Sequence, residues 1–521
     1  MLSSRTFASS KTTVLPRLVF NSIARSTGKN STASVMTPSL LSQRRTPTPS
    51  SSTFLVRTLS SWSSNPTKKD SSQRTLSTQT STVTSHELFP SWNTPKVTCN
   101  GDYREEAWLE DLIGGSLYAK QKELPRLPVC DIQDSLQRLA PTALPLCRSQ
   151  QEEQNLKAAM QKFPQQASKL QTRLEQRAQE YHDSSWLQHW WNTAGYLQVR
   201  DPVTVNVSYF FQYANDASAS TNIQRGAALL YTSALYRKDV CSGQLPTETI
   251  GKKDRQTPLC STAYKYMFHA CRIPQHNQDA YDIYDPSLHN HVIVMRKGHA
   301  FKVNFCCPQT GRPYPIPVLE QALQECVEQA DVLEGASDER TLLARQLGWC
   351  TSSNRDDWAT ARQALLENSG PKMKEALETL QAGALCLCLD DVEPVSRAEC
   401  ANMLLTGTTA SGHNRWFDKS IQLVVANNGK AGFLGEHSMM DGMPLVGLAN
   451  LHTQMTHEKC AQDSNAIDGV TVEDCAVTPV FEEAWSTMGN FMEPYVAKGK
   501  CIEKRLISVI RKLDDYIASI Y

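Results

Sequence analysis

Two pairs of β-rich segments, each joined by a short turn, constrain the fold of this chain most. Residues 291–295 and 300–305 are dominated by apolar and β-branched side chains and are separated by four residues. Residues 420–426 and 431–435 flank the tetrapeptide Asn-Asn-Gly-Lys at 427–430, whose Asn-Gly pair predicts a type I′ turn. We therefore predict two antiparallel hairpins.

Helical patterns surround these hairpins. Residues 151–181 carry apolar side chains at helical spacing, and we expect this helix to be broken near Pro164 because proline has no N–H to donate. Pro444 opens a further periodic stretch, as is common for proline in a first helical turn. Other helices are predicted over 221–236, 318–332 and 341–347. Helices interleaved with antiparallel hairpins predict an α/β fold of mixed layers rather than a strictly parallel sheet.

Composition excludes several classes of protein. With 521 residues, 40% of them hydrophobic, the chain is long enough for two domains. Residues 1–69 contain ten Lys/Arg and no Asp or Glu, so the remainder is acidic and has no basic stripe for nucleic acid. The longest apolar runs, such as 383–389, are too short for a transmembrane segment. Sixteen scattered cysteines are interpreted as reduced thiols, with Cys386 and Cys388 in the core, and no metal site is predicted.

The first 85 residues have the composition of a targeting sequence. Ser and Thr supply 38 of the first 86 residues, arginines recur, and the first acidic residue is Asp70. This is typical of a mitochondrial transit peptide followed by a disordered Ser/Thr-rich segment. A plastid transit peptide and a disordered tail without any targeting signal remain alternatives. A shorter product beginning at Met36 would also allow a peroxisomal location.

One short segment, 436–442, combines groups that could catalyse proton transfer. It places His437 just beyond the predicted second strand of a hairpin, Asp441 four residues later, and Gly442 where the backbone could turn sharply. A free imidazole titrates near pH 6.5, which suits a general base at neutral pH. A purely structural His–Asp pair is the alternative. A second cluster, Trp190 and Trp191 with Trp186 and Tyr196, would ordinarily be explained as core packing.

Several segments, in order, resemble the carnitine/choline acyltransferase family. The segment 124–139 follows its N-terminal signature except at Cys130, and 190–203 resembles the stretch whose Trp and Tyr face the substrate tunnel. The segments 266–274 and 414–419 and the Glu436-His437 pair follow in the same order. The matches are most similar to the carnitine O-acetyltransferase branch.

The resemblance implies a reaction and a set of roles. His437 would be the general base that deprotonates either the carnitine hydroxyl or the coenzyme A thiol, with direct acyl transfer and no acyl-enzyme. Trp191 and Tyr196 would contact substrate, and Asp441 would support the imidazole or simply cap the next helix. Coenzyme A, acetyl-CoA and carnitine enter as substrates, no cofactor is expected to stay bound, and the protein is expected to be a monomer.

The resemblance also implies two α/β domains of similar fold, the second of them incomplete here. We assign 86–182 to the second domain, 183–485 to the N-domain with the catalytic His, and 486–521 to the start of the C-domain. The chain therefore looks truncated at its C-terminal end, and weak or absent activity is expected for it. Choline acyltransfer, transfer of longer acyl chains to carnitine, and a noncatalytic fragment acting as a binding module remain alternatives.

Overall fold

A computed structural model describes residues 88–252, 255–335, 339–465, 467, 469–485 and 490–500. The predicted transit segment 1–85 lies outside these ranges, as does most of 486–521. The assignment of 86–182, 183–485 and 486–521 to separate domains stays a prediction.

The described residues alternate between helices and strands, as the pattern predicted. The helices are α1 (Trp108–Ile113), α2 (Gly115–Tyr118), α3 (Ile132–Ala143), α4 (Gln150–Glu180), α5 (Gln188–Asn192), α6 (Val203–Asn206), α7 (Asn222–Cys241), α8 (Ile316–Gly335), α9 (Glu339–Ala344), α10 (Arg355–Asn368), α11 (Gly370–Ala382), α12 (Arg397–Thr406), α13 (Thr408–Ser411), α14 (Gly442–Gln454), α15 (His457–Ser464), α16 (Val472–Cys475) and α17 (Glu482–Trp485). The strands are β1 (Lys96–Cys99), β2 (Tyr209–Gln212), β3 (Thr249–Lys252), β4 (Arg255–Pro258), β5 (Ala270–Ile273), β6 (Ala280–Tyr284), β7 (His291–Arg296), β8 (His299–Asn304), β9 (Cys386–Asp390), β10 (Ile421–Ala426), β11 (Ala431–Gly435) and β12 (Thr478–Pro479). The predicted α/β fold class is confirmed.

A seven-stranded sheet organises these elements in the order β12-β8-β7-β9-β10-β11-β2. Both predicted hairpins are present, since β7 pairs antiparallel with β8, and β10 pairs antiparallel with β11. Strand β9 joins the two hairpins by pairing parallel with both β7 and β10. Parallel pairs need long crossover connections, and the helices α8 to α13 supply them.

The central position of β9 explains its composition. A strand covered on both faces is apolar at every position rather than at alternate ones. All five residues of β9 are buried, and Cys386 and Cys388 are core residues as predicted. Helix α7, which packs against α8, α14 and the neighbouring strands, covers part of this sheet.

The turn between β10 and β11 differs from the predicted type I′ form. That form needs positive φ at both central residues, but neither Asn427 nor Asn428 has positive φ. Gly429 alone does, with φ of 74°, and its N–H donates to Ala426 O at 2.9 Å. The loop is therefore an ordinary turn followed by a left-handed glycine, which is the common three-residue alternative.

The predicted break at Pro164 is also wrong. Helix α4 runs without interruption from Gln150 to Glu180 with Pro164 inside it. Proline removes one hydrogen bond and crowds the preceding turn, but a helix can continue past it, usually with a kink. The long flanking segments on both sides of Pro164 are rich in Ala, Gln, Lys and Glu, which favour continuation.

Several histidines lie in the core in their neutral form. His269, His291, His299 and His452 are each at most 2% exposed. Burial lowers the pKa of His291 and His452 to about 3 and that of His299 to about 4, and it lowers the pKa of His269 well below its ordinary value. His452 is held between the Tyr213 hydroxyl at 2.7 Å and the Ser233 hydroxyl at 3.0 Å.

We expect the protein to lose stability as the pH falls below 6.5. In the unfolded chain each histidine gains a proton near pH 6.5, whereas His452 in the fold stays neutral down to about pH 3. Each such histidine contributes a slope of about 1.4 kcal/mol per pH unit across that window. Urea unfolding between pH 7.5 and 5 measures this slope. His452→Gln should make it shallower, and the same change at exposed His276 should not; equal slopes in both variants would contradict the assignment.

Candidate active site

Local backbone geometry presents His437 at the end of a central hairpin. Strand β11 ends at Gly435, and the N–H of Glu436 still donates to Ser420 O at 3.1 Å, so the sheet holds the chain up to the residue before His437. A Cβ on Gly435 would lie 2.7 Å from Leu445 and 3.0 Å from the Tyr209 ring, so the strand end can pack this closely only without a side chain. The His437 side chain is 32% exposed and can be reached from outside.

Two tyrosine rings flank the imidazole. Tyr196 stacks on His437 with ring centroids 5.6 Å apart and planes 8° from parallel, and Tyr209 meets it edge-on at 4.8 Å. Burial raises the pKa of both phenols, and the carboxylates of Asp441 and Glu436 raise it further. Both phenols therefore stay protonated at neutral pH and cannot be the base. The imidazole is the group in this cluster that can accept a proton.

Trp191 extends the aromatic cluster outward. Its ring meets Tyr196 edge-on at 6.1 Å, and it is 58% exposed. Trp190 is 43% exposed and pairs with Trp186 instead. Core packing is therefore the wrong explanation for Trp190 and Trp191. The sequence pattern could not separate the two faces because Tyr196 lies in a π-helical turn, Thr193–Leu197, which shifts the helical register.

Asp441 lies beside His437 and also caps a helix. Its Oδ1 is 4.0 Å from His437 Nε2, which is an ion-pair distance but too long for a hydrogen bond. The same oxygen accepts from the N–H of Gly442 at 2.7 Å at the start of α14, and the Tyr209 hydroxyl donates to the Asp441 carbonyl at 3.1 Å. Gly442 does not have positive φ, so the backbone does not use the conformational freedom of glycine there. Asp441 is extended, and Gly442 is the first residue of α14.

A buried arginine that sequence reasoning did not assign fixes the two sides of the site. Arg272 is fully buried and its Nε donates to Asp279 at 2.7 Å. Its Nη1 donates to Glu436 Oε1 at 3.0 Å, and its Nη2 donates to the Tyr196 carbonyl at 3.0 Å. One guanidinium therefore connects the side chain of the residue before His437 to the backbone of Tyr196, whose ring stacks on His437.

Glu436 also stabilises the backbone next to His437. Its second oxygen accepts from the Ser438 N–H at 3.1 Å and from the Ser438 hydroxyl at 2.5 Å. The residues immediately before and after His437 are thus bound to each other. Glu436 was noted in the sequence only as a neighbour of His437, and its role depends on Arg272, which is 164 residues away along the chain.

Further buried charges hold Arg272 in place. Asp279 also accepts from Arg355 Nε at 2.7 Å, and Arg200 lies 3.1 Å from its other oxygen. Burial raises the pKa of Asp279, but Arg355, Arg272 and Arg200 outweigh it and hold the pKa below its ordinary value. Arg355 Nη1 donates to Asp418 at 2.7 Å. Asp279 is therefore ionised in the fold and pairs with three guanidiniums at once.

Among the described residues, no group of three or more His, Cys, Asp or Glu side chains is arranged to hold a metal ion. In the same part of the chain no helix is both long and apolar enough to cross a membrane. What the geometry does provide is one accessible imidazole on a rigid support, with neutral aromatic walls, which suits proton transfer to or from a bound substrate.

Comparisons with known proteins identify the family of this chain. The profile of the family described as Choline/Carnitine o-acyltransferase matches residues 127–479, which is more than half of the chain and includes His437. The chain belongs to this family.

The names of similar curated proteins specify acyl groups of different length. Mitochondrial carnitine O-acetyltransferase of Saccharomyces cerevisiae is 29% identical over 360 residues, which cover 67% of this chain and 51% of that protein. The liver isoform of carnitine O-palmitoyltransferase 1 of Homo sapiens is 31% identical over 349 residues, covering 63% and 41%. Mitochondrial carnitine O-palmitoyltransferase 2 of Xenopus tropicalis is 26% identical over 385 residues, covering 68% and 54%. The chain spans about half the length of these relatives.

The buried Arg272 pair should show strong energetic coupling. Arg272→Met leaves Glu436 charged and buried without its cation, which typically costs about 3 to 5 kcal/mol of unfolding free energy. Glu436→Gln in the same background should cost less than it does alone, because the partner is already absent. Urea unfolding of the two single variants and the double variant measures the coupling.

The exposed pair Lys157–Glu153 provides the control for this cycle, since Lys157→Met should change the unfolding free energy little. Additive effects of Arg272→Met and Glu436→Gln, within about 0.5 kcal/mol, would contradict the coupling.

Proposed function

We propose that this protein transfers an acyl group, in its simplest form acetyl, reversibly between coenzyme A and carnitine, with His437 as the general base. The observation that carries the proposal is the position of His437. It stands accessible at the end of β11 on a buried ionic support, within the region that matches the family. The reactants are small molecules, and the protein is proposed to act as a monomer without a bound cofactor.

In the proposed reaction, the imidazole of His437 takes the proton of the carnitine hydroxyl as the oxygen attacks the thioester carbonyl of acyl-CoA. The carbon–sulfur bond then breaks, and the imidazolium returns its proton to the leaving thiolate. The products are acylcarnitine and free coenzyme A. In reverse, the same imidazole deprotonates the thiol of coenzyme A. Asp441, 4.0 Å from Nε2, would stabilise the imidazolium while it carries the proton.

The length of the acyl chain is the finer part of the proposal. Relatives named as acetyltransferases and as palmitoyltransferases have similar identity to this chain. Acetyl is proposed because the quoted motifs are most similar to the acetyltransferase branch. A mitochondrial location is proposed from the composition of residues 1–85 and from the mitochondrial names of two of these relatives.

The test is release of free thiol by the 521-residue chain from acetyl-CoA with carnitine as acceptor. Palmitoyl-CoA and choline are run in parallel to separate the alternatives. His437→Ala is expected to lower kcat by about 100- to 10,000-fold, the usual contribution of a general base. His276→Ala, at an exposed histidine, should leave kcat unchanged. Asp441→Ser preserves a helix cap but removes the carboxylate, so it should lower kcat less than His437→Ala does.

Thiol release that persists in His437→Ala would overturn the role of His437. Release no faster than in a protein-free blank would overturn the proposed activity of this chain in favour of the noncatalytic binding module. An unchanged kcat in Asp441→Ser would leave Asp441 with its capping role alone.

Trp191 and Tyr196 are proposed to contact substrate. Trp191→Ala is expected to raise KM for one substrate by about 2- to 12-fold with little change in kcat, since an aromatic contact is worth about 0.5 to 1.5 kcal/mol. Trp190→Ala is the matched control, because that ring contacts Trp186 and Arg177 instead. Steady-state kinetics decide the point, and equal KM values in wild type and Trp191→Ala would remove Trp191 from the substrate site.

A further inference from the structure

A cavity lies away from His437. It has a volume of about 700 Å3 and opens between the helix pair α10–α11 and the first residue of β1, Lys96. Small-molecule sites usually enclose about 300 to 1,000 Å3. None of the residues that form the His437 cluster lines this cavity.

Positive charge converges on this cavity. Lys96, Arg362 and Lys374 line it, against the carboxylate of Glu378. Lys96 is already paired with Asp282 at 2.7 Å. Arg362 and Lys374 are different, because the described residues provide no ion-pair partner for either of them. The cavity therefore holds two cations that are free to bind an anion.

Within the described part of the chain, Arg362 has a buried hydrogen-bond donor that lacks an acceptor. Its Nε is buried and has no hydrogen-bond partner among the described residues. A buried N–H without an acceptor is unfavourable, and a guanidinium is the side chain best shaped for a carboxylate or phosphate. Arg362 also comes from the middle of α10, so its backbone is held by the helix.

Apart from Gln381, the rest of the wall is apolar, and the cavity is open beside Gly370. Leu366 and Leu377 line the cavity, and Leu377 is only 1% exposed. At the junction of the two helices Gly370 has φ of 72°, and a Cβ added there would meet no atom within 4 Å. A ligand that satisfies this surface carries one anionic group and a short aliphatic body.

We propose that this cavity binds a small amphipathic anion, a carboxylate or a phosphate monoester with an aliphatic chain, between Arg362, Lys374 and the leucine wall. The site does not depend on acyl transfer at His437. Helix α10 nevertheless connects the two, since its first residue, Arg355, holds Asp279 and Asp418 beneath the candidate active site. Binding at Arg362, in the middle of α10, therefore occurs on the helix whose first residue supports the other site.

The test is calorimetric titration of the 521-residue chain with octanoate and with octyl phosphate, and with 1-octanol as the uncharged analogue. Saturable binding of at least one anion, tighter than that of 1-octanol, is expected. Lys374→Glu and Arg362→Gln should each weaken it at least tenfold. Lys169→Glu, the same charge reversal on exposed α4, is the matched control and should bind like wild type. Lys374 is exposed, so this variant should fold even if Arg362→Gln does not.

Which anion saturates the site identifies the chemistry: octanoate alone indicates a carboxylate and octyl phosphate alone a phosphate monoester. The absence of saturable binding by either anion would overturn the proposal. So would equal affinity of wild type and Lys374→Glu, since the anion would then be bound elsewhere, including at the acyl site.

Discussion

The buried guanidinium of Arg272 is the interaction on which the candidate active site depends. It joins Glu436, which precedes His437, to the carbonyl of Tyr196, whose ring stacks on His437. A buried ion pair adds little net stability over an apolar core, but its directional hydrogen bonds specify one arrangement. Here that arrangement sets the position of an imidazole, and the support continues through Asp279 to Arg355.

The seven-stranded sheet gives this network a rigid base. Strand β9 links two hairpins by parallel pairing, so β11 and the residues after it are fixed relative to the core. Reactive groups held on strand ends are placed more accurately than groups on free loops. Helix α10 contributes Arg355 to the same network, and Arg362 of the same helix lines the cationic cavity. The candidate active site and the cavity therefore both depend on helix α10.

Local patterns predicted much of the fold. The hairpins around 297–298 and 427–430 follow from strand-forming residues next to turn residues. The choice of His437 as the candidate base depends on the family resemblance of its segment as well as on its place beyond a predicted strand. Where prediction failed, competing local geometries differ by little energy. An Asn-Asn-Gly loop can close a hairpin in two ways, and a helix such as α4 can accommodate Pro164 rather than stop at it.

By itself the sequence determined the class of fold and the family, and it singled out His437 as the candidate base, because periodicity and ordered motifs can be recognised along the chain. Only the tertiary structure decided that Tyr209 from β2 meets His437, that Trp191 is exposed, and that Arg272 binds Glu436 across 164 residues. These contacts come from strand pairing and layer packing, which bring distant residues together. A charged residue in a sequence carries no mark of its partner, because the free energy of a buried charge depends on what surrounds it in space.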